Sequence, residues 1–178
     1  VDLPLISRIG PAAYWSTSLL FGMQIAWRNT VADSGPNRDL ITLLGVSPES
    51  RFWGRTIASA VLLVAFMLLL GVAAVLLFSP QIPMTPWLLL IILLFATGLA
   101  MVATLAADIT SGLSGRAPLA SVLVVPLALP LLVGAAQAVE SLRRGGGILP
   151  WLLMLAATEI VLAVAGTLAA KPLEDAAR

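Results

Sequence analysis

Three observations predict an all-α integral membrane protein of about five transmembrane helices. Hydrophobic residues make up 60% of the 178 and charged residues only 11%, where a soluble domain carries about 25% charge. The apolar residues are collected into five long runs, of which only the last contains a charge, Glu159. Most of the prolines and glycines, and all charges but Glu159, fall outside the runs. A soluble helical bundle is excluded on the same grounds, because each of its helices needs a polar face for water and these runs have none.

A spanning helix needs about 20 mostly apolar residues, and each run is read against that length. The first, 11–27, is short and carries Ser16, Thr17, Ser18 and Gln24, with Tyr14, Trp15 and Trp27 as interfacial aromatics near its ends. The second, 56–78, and the third, 87–107, are joined through Pro80, Pro83 and Pro86. These three cannot continue a helix, so the two runs form a helical hairpin. The fourth, 117–139, contains Pro126 and Pro130 followed by Gly134, and is expected to break or kink there, as a re-entrant element or a simple proline bend. The fifth, 148–170, completes the set. No internal repeat is visible, Gly145-Gly146-Gly147 is the only low-complexity patch, and residues 1–178 read as one domain.

Orientation follows the placement of Lys and Arg. The loop 28–55 holds Arg28, Arg38, Arg51 and Arg55, whereas 79–86 holds no charge. The longer loop is therefore cytoplasmic, and threading onward places the tail 171–178 on the same side. Arg8, Arg143 and Arg144 run against this rule. The chain begins at Val1 with no signal-peptide pattern, and an odd number of spans leads to the expectation of one further helix upstream, six in all.

Residues 28–55 hold the clearest functional signal, since a long polar loop between spans must meet water or a partner. Asp33-Ser34-Gly35-Pro36-Asn37 has the composition of a turn. Asn37 or Asp39 is placed to cap a short helix through Arg38, whose Leu40, Leu43 and Leu44 share a face. Ser47-Pro48 then has the form of an N-cap followed by proline at the first helical position, with Arg51 one turn on. The segment is either an interfacial anchor or a coupling element that docks on a soluble motor. In the second case its residues are Asp33, Gly35, Arg38, Asp39, Leu43, Leu44, Ser47, Pro48 and Arg51.

The order of these pieces resembles a known family. Gly10-Pro11, Trp15, a polar stretch ending in Asp33-Ser34-Gly35, Leu43-Leu44 before Ser47-Pro48, and Pro126 with Pro130 before Gly134 together look like the CcmB family. That family is the permease of the ABC-type heme exporter of cytochrome c maturation, and the resemblance runs from about Arg8 to the tail. It implies an ABC-2-type permease-like fold in a bacterial cytoplasmic membrane. It also implies heme as a substrate, other maturation subunits or a second copy as partners, and a separate ATPase facing Asp33, Gly35, Ser47 and Pro48.

The chain's own chemistry is sparse. It has no cysteine and no histidine, which excludes thiolate chemistry, Cys/His metal sites and imidazole ligation of heme. A heme contact would fall to Tyr14, a methionine or apolar packing. No Gly-x-x-x-x-Gly-Lys motif is present and Lys171 is the only lysine, so ATP, if used, must be hydrolysed by a partner. No Ser/His/Asp set or paired-carboxylate site supports an enzyme. A net charge of +1 offers no field for nucleic acid. Glu159, beside Thr158 within the last span, is a candidate for substrate or proton contact or for helix packing. Gln137 and Glu140, ahead of Arg143 and Arg144, form either a charged outer vestibule or a solvated loop. Gly98 and Ala100 with Thr97 and Thr104, and Gly166 between Ala163 and Ala170, form small-residue faces suited to helix packing. The competing functions are an ABC-2-type exporter of a lipid, drug or glycan and a membrane scaffold without transport.

Overall fold

The computed structural model describes residues 3–32, 43–78, 86–111 and 117–176. Five helices account for nearly all of them: α1 (Leu3–Ala32), α2 (Pro48–Phe78), α3 (Pro86–Ser111), α4 (Ala117–Arg143) and α5 (Leu149–Ala176). Four, all but α1, are long and apolar enough to cross a membrane. The expected first span lies inside α1, whose serines, threonine and glutamine keep it more polar than the others. Ser18, fully buried, satisfies its hydroxyl on the Tyr14 carbonyl at 2.9 Å. All five helices run beyond the apolar runs that predict them, because polar residues at a helix end still satisfy the backbone ladder.

α3 is the axis of the bundle. It packs against all four other helices, which close a ring around it in the order α1, α2, α5, α4. Most of α3 is buried, whereas the other three apolar spans are buried over less than half. Its sequence explains this position, since Ala96, Ala100, Ala103 and Ala106 are fully buried small residues that let neighbouring backbones come close. Between membrane helices such contact, rather than the hydrophobic effect, drives association.

Glycines mark the tightest approaches. A methyl group built on Gly22 of α1 would lie 2.7 Å from the Leu99 side chain of α3, and one on Gly98 of α3 would lie 2.6 Å from Leu131 of α4. On Gly134 of α4 it would meet Leu155 of α5 at 3.1 Å, and on Gly166 of α5 it would overlap the Phe52 ring of α2. Aromatic contacts fasten α1 on its other sides. Trp15 packs edge-on against Phe95 of α3 at 4.9 Å, and Phe21 stacks on Phe66 of α2 at 3.9 Å.

The expected break in the fourth span does not occur. α4 is one helix from Ala117 to Arg143 with Pro126 and Pro130 inside it. The two prolines are four apart and therefore on one face, and both are exposed on the outside of the bundle. Each removes a single ladder hydrogen bond on that face, and the ladder on the inward face carries the helix through. Gly134 is no hinge either, but a notch for Leu155. The helix stops instead at Arg144-Gly145, where Gly145 has φ +68°. Its N–H reaches the Leu142 carbonyl at 3.2 Å, and the Gly146 N–H reaches that of Ser141 at 2.8 Å, the paired bonds of a Schellman stop.

Candidate functional site

The end of the bundle at which α2 begins gathers the largest set of polar contacts between helices. α2 starts as its sequence predicts: the Ser50 N–H donates to Ser47 Oγ at 3.3 Å, the two hydroxyls lie 2.9 Å apart, and Pro48 takes the first helical position. The cap begins no separate short helix. From Pro48 the helix continues without interruption to Phe78, a rod of about 46 Å at 1.5 Å per residue. The apolar thickness of a bilayer is about 30 Å, so the first turns of α2 project from the apolar layer as a rigid extension of the span. Just before the cap, Gly45 turns the chain at φ +73°, and Leu43 and Leu44 are 83% and 78% exposed.

Three side chains tie this foot to the bundle. The Arg55 guanidinium donates to the Asp108 carboxylate of α3 at 2.5 Å, with both side chains four-fifths or more buried. One residue further, the Thr56 hydroxyl lies 3.4 Å from that of Thr104, both out of solvent. Thr104 also donates to the Ala100 carbonyl at 2.9 Å. Phe52, fully buried, sits over Gly166 of α5. Arg51 lies one turn below Arg55, and its Nε and one terminal nitrogen are shielded from solvent. An ion pair at this depth is costly to leave half-made, because removing one partner strands a desolvated charge.

The charge pattern of the hairpin contains this arrangement. Arg55 is the residue just before the second apolar run and Asp108 the residue just after the third. In an antiparallel hairpin those positions lie side by side. Read separately as loop charges, neither singles itself out. Read as the two ends of one hairpin, they pair.

The other candidates occupy different levels of the bundle. Glu159 of α5 is partly buried, and its carboxylate accepts from the Thr97 hydroxyl of α3 at 2.5 Å. Thr97 is therefore more than a small packing residue, while the Leu93 and Leu94 carbonyls of its own helix also lie within reach at 2.9 and 3.1 Å. The Tyr14 hydroxyl donates to the Met67 carbonyl of α2 at 3.0 Å, with its ring beside Gly71. At the opposite end from the foot, Glu140 accepts from Arg143 at 2.6 and 2.7 Å and from Arg144 at 2.6 Å. These are contacts one turn apart along a single helix, and Gln137 is exposed beside them. Asp33, Gly35, Arg38 and Asp39, with Asn37, lie outside the described residues. The structure thus brings Ser47, Pro48 and Arg51 to one foot with Arg55 and Asp108, and keeps Tyr14, Glu140 and Glu159 apart from it.

No curated protein and no solved structure shows significant similarity to the chain. A protein-family model described as CcmB protein matches residues 2–174, nearly the full length. By that match, the chain belongs to the CcmB family.

Proposed function

We propose that this chain is the membrane-spanning subunit of an ABC transporter that exports or delivers heme during cytochrome c biogenesis, driven by ATP hydrolysis in a separate subunit. The observation that carries the reading is the family match over residues 2–174. The all-helical bundle, with four helices able to span a bilayer, is the architecture such a subunit requires. The absence of a nucleotide-binding loop from the sequence agrees with a motor on another chain.

The ATPase docks at the end carrying 28–55, which faces the cytoplasm of a bacterial cell together with the C-terminus. Asp33, Gly35, Arg38, Asp39, Leu43, Leu44, Ser47, Pro48 and Arg51 form the contact. The exposed Leu43 and Leu44 beside a rigid, capped helix start support this assignment, because a docking element needs an apolar grip and a stiff backing. Heme, as cargo, meets no histidine in this chain, so its recognition relies on apolar surface and on groups such as Tyr14 or on other subunits of the maturation system.

Affinity purification of the complete tagged protein in mild detergent, with mass spectrometry and an ATPase assay, tests the reading. It predicts recovery of a Walker-motif ATPase whose association falls when Asp33 and Arg38 are replaced together by alanine. Recovery of well-folded protein with no ATPase would overturn the motor-driven reading in favour of a membrane scaffold.

A further inference from the structure

We infer that the foot of α2 is the transmission element of the transporter, and that Arg55–Asp108 and Phe52–Gly166 are the two joints that pass its movement to α3 and α5. The inference rests on the proposed motor-driven function and adds to it the route of force inside this chain. Three features of the fold carry it. The cap at Ser47 and the span itself are one uninterrupted helix, so displacement at the cap cannot be absorbed by a hinge before the membrane. The next two turns hold an interhelical ion pair, Arg55–Asp108. They also hold Phe52, which lies closer over its glycine, Gly166, than any other side chain among the described glycine contacts.

The two joints differ in kind and in target. Arg55 grips α3, the helix that contacts every other, so a displacement entering there reaches the whole bundle. Phe52 presses on Gly166 of α5, the neighbour of α2 on the far side of the ring from α1. The ion pair resists sliding and separation through charge and hydrogen bonding, while the ring resists approach through hard contact. Together they make α2, α3 and α5 move as one body when the foot is pushed, the rigid-body mode by which packed helices switch. Arg55, Asp108, Phe52 and Gly166 are accordingly positioning residues, which touch neither nucleotide nor cargo.

The test uses the full-length protein co-expressed with its ATPase subunit, comparing Arg55→Asp, Asp108→Arg and the exchanged double variant. Three quantities are read in each: ATPase recovered with the membrane subunit, ATP hydrolysed, and holocytochrome c formed per ATP. The expected result is ATPase recovery near that of the unmodified complex, with product per ATP down about tenfold in each single variant and substantially restored in the exchange. A purely structural role would lower recovery and hydrolysis together and leave product per ATP unchanged, which would overturn the inference. Equal loss in the exchange and the single variants would overturn it too. If a reversed variant fails to accumulate, Arg55→Lys and Asp108→Glu are read by the same ratio, and an unchanged ratio counts against the inference. Failure of the underlying proposal is distinguishable, because then the unmodified chain recovers no ATPase at all.

Discussion

Phe52 of α2 lies so close over Gly166 of α5 that a single methyl group on the glycine would overlap the ring. The ring is fully buried. Gly166→Ala is therefore expected to destabilise the bundle by about 1–3 kcal/mol, the usual cost of overpacking a close contact. Gly54→Ala, on the exposed side of the same α2 foot with nothing within 4 Å, should be stabilising by up to about 1 kcal/mol through helix propensity. Thermal unfolding in detergent, followed by tryptophan fluorescence, gives both values.

Loss of the Ser47 cap should act locally. Ser47→Ala removes the acceptor of the Ser50 N–H and is expected to cost about 1 kcal/mol. Hydrogen exchange should show faster exchange over the first turns of α2 and unchanged protection beyond Thr56. Equal deprotection along the whole helix would contradict a local role for the cap.

At the middle of the α3–α5 seam, the acceptor matters more than the negative charge. Glu159→Gln retains an oxygen for the Thr97 hydroxyl and should leave the folded yield unchanged. Glu159→Lys removes the acceptor and places a cation in the apolar layer, at a cost of about 2.5–3.5 kcal/mol. Size-exclusion profiles of the two variants in one detergent compare them directly.

The stop of α4 depends on one backbone conformation. Gly145→Ala forces a side chain into φ +68° and should cost about 1–2 kcal/mol. Gly147→Ala, with open space around it and no such angle, should cost far less. The same melting experiment separates the two glycines of this run.

Much of the fold is legible in the sequence because a bilayer leaves the chain few choices. Uncharged runs of spanning length must be helices, and Ser47-Pro48 has the side chains of a helix start and becomes one. Pro126 and Pro130 leave a break and a simple bend equally open in the sequence, because a proline's local cost is visible there, while their shared outward face, which lets the inward ladder persist, is set by packing. Arg55–Asp108 is half legible: both residues flank apolar runs, but their pairing appears only when the two runs are folded against each other. Thr97 with Glu159 lies beyond sequence reasoning, since the register between α3 and α5 is set by packing across the whole bundle.

The proposed function requires a soluble ATPase to engage the end of the bundle at which α2 begins. The cysteine-free sequence makes one measurement decisive: a single cysteine introduced by Asp39→Cys or by Gly146→Cys, each tested for crosslinking to the ATPase in intact membranes. An adduct with the ATPase is expected from Asp39→Cys and none from Gly146→Cys. An adduct from Gly146→Cys alone, or from neither position in a complex that still assembles, would contradict it.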